Sequence, residues 1–159
     1  MLAFLFLLGL ALGAVSSSDY PQMELQQDTC PSFWISFNGR CYKYFNTERT
    51  WAEAEFHCVS QGGNLVSIHS REEEEYVKIL IKESDPAGGA TWIGLNDFYE
   101  EGRWIWSDGC VAKYFFWYRQ PNNSELGEDC VLNNWRGKWK DVPCSKLFPS
   151  VCASPTTCP

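Results

Sequence analysis

The sequence has only two histidines, no Cys-x-x-Cys pair and no cluster of basic residues. Without these spacings the usual structural zinc sites are excluded. His57 and His69 stand in no nucleophile motif, so each is interpreted as a packed or capping residue and the protein as a non-enzyme. A net charge of −7 with no basic cluster to offset it argues against nucleic acid as a partner.

Long apolar runs are confined to the start of the chain. The run Leu2–Val15 is too short to cross a bilayer and is followed by small residues, which is typical of a secretory signal peptide. We therefore expect residues 1–18 to be a signal peptide, 19–29 a short polar segment, and 30–159 the folded domain with a short cysteine-containing tail. With no later membrane segment, the mature protein is predicted to be secreted and extracellular.

Eight cysteines follow the predicted signal peptide, and 45% of the residues are hydrophobic, including eight tryptophans. An even number of cysteines at this density predicts disulfides in an oxidising compartment. Eight cysteines allow about 105 pairings, so their spacing leaves the connectivity open. The apolar content predicts a real hydrophobic core.

Turn and capping signals divide the first half of the domain. Asn38-Gly39 between two aromatic runs predicts a β-hairpin. Thr50 with Glu53 forms a capping-box pattern ahead of a first helix. Ser70 with Glu73 repeats this pattern ahead of a second helix, whose acidic first turn is interpreted as solvated.

Short strand-like runs and one long loop make up the second half. The runs "ATWIGLND" and "GRWIWSDG" precede a loop-like stretch over 110–138, and "NNWRGKWKDVPC" and "PSVCA" are typical of closing strands. Strands combined with two helices in this order predict an α+β fold. A loop of this length is usually functional or organised by disulfides.

These motifs occur in an order that resembles C-type lectin-like domains from Cys30 to Cys152. The matching pieces are the hairpin cysteines, "WAEAEFHC", "GGNLVSIHS", "WIGLND", "WIWSDG" and "GKWKD". The compact form is similar to secreted fish lectins that bind lactose or galactose, and also to type II antifreeze proteins. The resemblance implies two helices, two small antiparallel sheets and a long loop stapled by a disulfide.

The resemblance also implies three disulfides, Cys30–Cys41, Cys58–Cys152 and Cys130–Cys144. Cys110 and Cys158 are left over and can bond within one chain or reach another subunit. Because the family keeps its loops and its terminus at different ends of the domain, we favour at least one interchain bridge. A disulfide requires Cα atoms within about 7 Å. A disulfide-linked homodimer is the expected consequence.

A sugar and calcium site is implied at the long loop. Calcium-dependent members use a Glu-Pro-Asn or Gln-Pro-Asp triplet with a cis proline, a glutamate before the loop cysteine, and an Asn-Asp pair. Pro121 is the cis candidate in this chain. Such oxygen ligands suit Ca²⁺. The matching positions are Gln120, Asn122, Glu128, Lys140 and Asp141.

Lys140 departs from this pattern because an ammonium group offers no acceptor for a metal. At roughly 5 Å and an effective dielectric constant of about 20, its charge repels Ca²⁺ by about 6 kcal/mol unless the side chain swings away. Three outcomes stay open at this point. The lysine swings aside and calcium binds weakly, or it occupies the metal position between Glu128 and Asp141 and binds sugar itself, or the site is inactive.

Sugar preference and a second metal site are further implications of the resemblance. "QPN" is a hybrid of the mannose-type and galactose-type triplets, in which Gln120 favours galactose and Asn122 favours mannose. Trp135 is the preferred residue to stack on the sugar. Asn122 begins an Asn-Asn-Ser sequon and is a potential N-glycan site. The auxiliary calcium site of the family corresponds to Asp97, Glu101, Asn123 and Asp129, with Glu128 shared.

The sequence therefore predicts a secreted, galactose-leaning lectin that recognises or agglutinates microbes through their glycans, with weakened or absent calcium dependence. Agglutination requires several binding sites acting together. The alternative is a lectin-like protein without sugar binding, either a protein-binding module or an ice binder similar to type II antifreeze proteins. The loop is poor in the small residues that a flat ice-binding surface would need.

Overall fold

The computed structural model describes residues 30–122 and 127–159. Among these residues, both helices lie in the first half of the domain and a run of five strands follows them, which confirms the predicted α+β class. Within the described ranges, no helix is long and apolar enough to cross a membrane. In chain order the elements are β1 (Ile35–Phe37), β2 (Arg40–Arg49), α1 (Trp51–Ser60), β3 (Asn64–Leu65), α2 (Arg71–Ser84), β4 (Thr91–Asn96), β5 (Ile105–Trp106), β6 (Cys130–Trp135), β7 (Lys138–Val142) and β8 (Phe148–Ala153).

The strands form one mixed sheet in the order β1-β2-β8-β4-β6-β7, with β3 on β8 and β5 on β4. All of these pairs are antiparallel except a single parallel bridge between Trp92 of β4 and Ser150 of β8. The expected two small antiparallel sheets are therefore joined into one. The join exists because β8 pairs with β2 along one edge and with β3 and β4 along the other.

The local signals for the hairpin and the first helix are confirmed. Asn38 and Gly39 have φ values of 47° and 74°, as a tight hairpin between β1 and β2 requires. At α1, the Thr50 hydroxyl accepts from the Glu53 N–H at 3.3 Å, and the Glu53 carboxylate accepts from the Thr50 N–H at 3.0 Å. This reciprocal cap satisfies two N–H groups that an isolated helix end leaves unpaired.

Helix α2 differs from the prediction in two respects. Ser70 caps its N-terminus, but the Glu73 carboxylate accepts from the N–H of His69 at 2.8 Å, so the capping box is not closed. Glu74 is 1% exposed, although the acidic first turn was expected to be solvated. Its neighbours explain this burial, because its Oε2 accepts from Trp139 Nε1 at 2.8 Å and from Asn133 Nδ2 at 3.0 Å.

The core is divided between the two faces of the sheet. Successive side chains of a strand point to opposite faces, so Val131 joins one buried cluster with Trp139 while Leu132 joins the other with Trp92. Helix α2 contributes Val77 and other apolar residues to the first cluster, and α1 contributes residues to the second. Each helix therefore covers its own face of the sheet and holds the strands that carry the long loop.

Four disulfides close the domain. Three are the pairs that the resemblance implies, Cys30–Cys41, Cys58–Cys152 and Cys130–Cys144, with Cα separations of 5.5, 5.3 and 5.2 Å. Together they tie the first hairpin, helix α1 and the base of the long loop to the sheet.

The fourth disulfide corrects the preference for an interchain bridge. Cys110 and Cys158 are bonded within the chain, with a Cα separation of 5.3 Å. Cys110 does not lie out on the loop, because it is buried beside Trp106 and its carbonyl accepts from the Trp106 N–H at 3.0 Å. Arg40 Nε donates to the Ser154 carbonyl at 2.9 Å and fixes the start of the tail near this part of the core. A dimer linked through these two cysteines is thereby excluded.

Candidate functional site

The long loop is attached to the sheet by its middle part. Backbone bonds join the Tyr118 N–H to the Trp139 carbonyl at 2.8 Å and the Trp139 N–H to the Phe116 carbonyl at 2.9 Å. Trp117 and Trp139 therefore pair side by side, and their rings meet edge to face at 6.0 Å, with Trp139 in the core and Trp117 partly buried against it. Because side chains alternate along extended backbone, Phe116 and Tyr118 lie on the other side of this segment from Trp117.

Lys140 lies between the two carboxylates of the predicted sugar site. Its Nζ donates to Asp141 Oδ1 at 2.9 Å and lies 3.7 Å from Glu128 Oε2. Asp141 is buried, while Lys140 and Glu128 are partly exposed. The ammonium thus partly neutralises the carboxylates that would otherwise face a metal ion. Two carboxylates with one ammonium leave a net charge of −1.

The triplet Gln120-Pro121-Asn122 lies on the long loop, where Gln120 and Pro121 line a cleft with aromatic residues. Gln120 and Asn122 are exposed. No cis peptide bond occurs among the described residues, so the bond before Pro121 is trans and the cis assignment is corrected. The trans form is the more stable isomer of an X-Pro bond by about 0.5–1 kcal/mol. Ser124 of the predicted sequon lies outside the described residues.

An aromatic cleft of about 310 Å³ adjoins Gln120 and Pro121. Trp104, Phe115 and Trp117 line it; the ring centroids of Trp104 and Trp117 are 5.0 Å apart, and those of Phe115 and Trp117 are 6.0 Å apart. Sequence reasoning did not single out Trp104 or Phe115, because only the folded loop brings them beside the triplet.

Trp135 occupies a different place from this cleft. It is the last residue of β6, pairs with Lys138 across the hairpin, and packs against the core cluster beneath α1. Lys140 is paired instead with Leu132, three residues earlier on β6. At about 3.3 Å per residue, Trp135 is about 10 Å further along the strand. The structure thus brings together Glu128, Lys140 and Asp141, and does not bring Trp135 to them.

Asp97, Glu101 and Asp129 of the predicted auxiliary site do come together. Each offers a carboxylate oxygen within 4.8 Å of the other two. Asp97 Oδ2 accepts from the Gly102 N–H at 2.7 Å, whereas its Oδ1 is buried and has no hydrogen-bond partner among residues 30–122 and 127–159. Burial, aided by the charges of Glu101 and Asp129, raises the pKa of Asp97 to about 6.

This arrangement fits a hard cation. Ca²⁺ takes oxygen ligands, and a cation would supply the missing partner of Asp97 Oδ1 while relieving the repulsion among the three carboxylates. Asn123, the fourth predicted member, lies outside the described residues. Glu128, which the prediction shared between both sites, is paired with Lys140.

A second polar cluster contains both Ser67 and His69 but has no catalytic geometry. Ser67 is fully buried; it donates to Asp108 Oδ2 and accepts from Arg40 at 3.0 Å. His69 Nε2 lies 3.0 Å from the same hydroxyl. Cys110, beside this cluster, is bonded to Cys158 and is no metal ligand. The cluster satisfies buried polar groups, and its serine is inaccessible to a substrate.

Comparison with known proteins assigns the family. The "Lectin C-type domain" family model matches residues 47–154. Ladderlectin of Oncorhynchus mykiss is 36% identical over 144 residues, which cover 89% of this chain and 76% of ladderlectin. Lactose-binding lectin l-2 of Anguilla japonica is 39% identical over 137 residues, 82% of this chain and 81% of that protein. The chain belongs to the C-type lectin family.

A solved structure supports the same fold. The herring type II antifreeze protein superposes with a TM-score of 0.73 at 36% identity, covering 80% of this chain and all of that one. This similarity confirms the predicted C-type lectin fold and the predicted family resemblance.

Proposed function

We propose that the protein is a secreted carbohydrate-binding lectin, and not an enzyme, whose sugar site works without calcium. Lys140 replaces the metal at this site by bridging Glu128 and Asp141 and by donating a hydrogen bond to a sugar hydroxyl. The supporting observation is the position of its Nζ, 2.9 Å from Asp141 and 3.7 Å from Glu128. An ammonium carries three donors and no acceptor, which suits it to contact both carboxylate and hydroxyl oxygens.

The preferred sugar in this proposal is galactose or lactose. Gln120 belongs to the galactose-type triplet, and the similar eel protein is named a lactose-binding lectin. Galactose offers an apolar face to aromatic rings. The cleft lined by Trp104, Phe115 and Trp117 lies beside Gln120 and is better placed for this contact than Trp135.

Calcium in this proposal belongs to the auxiliary site of Asp97, Glu101 and Asp129. There it would stabilise the base of the loop without touching sugar, because Asp129 directly precedes Cys130 at the start of β6. Calcium removal is then expected to lower the melting temperature while leaving sugar binding largely intact.

The test is binding of the mature protein to immobilised lactose and mannose, in saturating calcium and in excess chelator. We expect lactose binding in both conditions. Lys140→Asn should make binding dependent on calcium, because it restores an oxygen ligand and removes the positive charge. Lys146→Asn, at an exposed lysine between β7 and β8, is the matched control and should behave as the parent.

Two results would overturn the proposal. Loss of parental binding in chelator would mean that Lys140 swings aside and that calcium binds sugar as in ordinary relatives. Absence of binding to both sugars under all conditions would favour the lectin-like alternative without a sugar site.

Ice binding is the second candidate function, because of the similarity to the herring type II antifreeze protein. Thermal hysteresis of the mature protein measures it directly. Protein binding stays the remaining alternative if neither ice nor sugar is bound.

The biological role we propose is recognition of microbial glycans outside the cell. The predicted signal peptide at 1–18, which lies outside the described residues, and the four disulfides support secretion. Since Cys110 and Cys158 bond to each other, agglutination would require association of subunits without a covalent link.

A further inference from the structure

A group of positively charged side chains forms around Tyr118, next to the sugar site. The guanidinium carbons of Arg119 and Arg136 lie 5.6 and 5.7 Å from the centre of the Tyr118 ring. Arg136 also donates to the Tyr118 hydroxyl at 3.3 Å. This hydrogen bond, together with the charges of the two arginines, lowers the pKa of the Tyr118 phenol. Two arginines are thus held at one aromatic ring.

Lys138 extends this group along β7. Its Nζ lies 5.4 Å from the ring centre of Phe116, the outward-facing neighbour of Tyr118 two residues earlier. Lys78 lies over the same ring at 4.4 Å, but its charge is shared with Glu74 at 3.6 Å and its Nζ donates to the Gly137 carbonyl. We use the name cationic patch for Arg119, Arg136 and Lys138.

Among the described residues, no carboxylate forms an ion pair with a member of the cationic patch. Within residues 30–122 and 127–159, the ion pairs involve Arg40, Arg71, Lys78, Arg103 and Lys140, and none of the patch residues. All three side chains are exposed. Each lies over the face of an aromatic ring, which attracts cations. Apart from the bond that Arg136 donates to the Tyr118 hydroxyl, their donors face solvent or a ligand, in a protein whose net charge is −7.

Two members of the cationic patch are near neighbours, along the chain, of residues of the sugar site. Arg119 immediately precedes Gln120, and Lys138 precedes Lys140 by two residues on β7. Residues two apart on a strand point to the same face and are about 7 Å apart. A sugar hydroxyl at Lys140 would therefore place neighbouring substituents of the same glycan within reach of the patch.

We propose that the cationic patch binds an anionic substituent, a carboxylate or a sulfate ester, on an acidic glycan held at the sugar site. The planar fork of arginine donates two parallel bonds to such oxyanions. The overall negative charge of the protein disfavours long polyanions, whereas a single anionic group meets only the local positive field. This inference rests on the proposed sugar binding and specifies its ligand class.

The test compares lactose, 3′-sialyllactose and 3′-sulfolactose by calorimetry or glycan array at two salt concentrations. The parent should bind one or both acidic glycans about tenfold more tightly than lactose, because one charge-assisted hydrogen-bonded pair contributes a gain in affinity of this size. This preference should shrink as salt rises. Preference for one acidic glycan alone identifies carboxylate or sulfate as the source of the anion.

Arg119→Gln/Arg136→Gln removes two charges and retains polar side chains. The double variant should bind all three glycans with nearly the affinity that the parent has for lactose. Lys82→Gln/Lys146→Gln, which removes two exposed charges elsewhere, is the matched control and should keep the preference. Melting temperatures and near-UV circular dichroism establish that both double variants are folded.

The results separate this inference from the proposed function. Equal parental affinity for the three glycans would overturn the proposed role of the cationic patch and leave sugar binding standing. Loss of the preference in the lysine control would assign it to net charge and would also overturn the patch. Binding of acidic glycans without lactose binding would support the patch and contradict the galactose preference, and no binding of any glycan would overturn both.

Discussion

Removing the disulfide Cys110–Cys158 is expected to destabilise the protein more than its position near the chain end would suggest. The two cysteines are 48 residues apart, and closing a loop of this length stabilises a folded chain by about 4 kcal/mol in the chain-entropy treatment. Cys110 is 2% exposed, so alanine is preferred to serine in order to avoid a buried unpaired hydroxyl. Cys110→Ala/Cys158→Ala should therefore lower the free energy of unfolding by about 2–4 kcal/mol.

The assay is denaturant unfolding followed by tryptophan fluorescence, since eight tryptophans report on the core. Cys30→Ala/Cys41→Ala is the matched control, because it opens a loop of 11 residues, for which the same treatment gives about 3 kcal/mol. A non-reducing gel of the parent should show a monomer. A loss below about 0.5 kcal/mol in the Cys110 variant, against the loop-closure expectation, or a disulfide-linked dimer of the parent, would refute this reasoning.

Two further predictions concern buried carboxylates. Glu74→Ala should lower the free energy of unfolding by about 3 kcal/mol or more, because the indole N–H of Trp139 and the amide of Asn133 lose their buried acceptor. Glu74→Gln retains an oxygen and should therefore lose less stability. Equal losses for the two variants in denaturant unfolding would contradict this role. In chelator, the folded protein holds a proton on Asp97 up to about pH 6, whereas the unfolded chain releases it near 3.8. Stability should therefore fall as pH rises between these values. Asp97→Asn should abolish this part of the pH dependence of the melting temperature, and an unchanged profile would contradict the assignment.

Local features of the fold could be predicted from the sequence because the responsible residues are close together in the chain. The Asn38-Gly39 turn and the Thr50–Glu53 cap depend on two to four neighbouring residues, and both occur as predicted. The residues of the sugar site could be named because their motifs stand in family order. The Ser70–Glu73 pattern failed to close as a box because a competing donor, the His69 N–H, was available to the same carboxylate.

The charges around the loop show what the order of residues leaves undecided. Glu74 stands in a run of four glutamates with the same local signal, and only its contacts with Trp139 and Asn133 make it the buried member. Arg119 and Arg136 form no cluster in the sequence, yet they meet at Tyr118 once the loop pairs with β7.

The sequence by itself thus determined the class of protein and its local helix and turn signals, and it supplied the residues proposed for the candidate sites. The tertiary structure decided that Lys140 lies between Glu128 and Asp141, that Cys110 bonds to Cys158, and which charges gather beside the sugar site. The physical reason is the same in each case. Capping and turn formation act within a few residues, whereas ion pairs, disulfides and burial depend on strand register and loop packing that join distant parts of the chain.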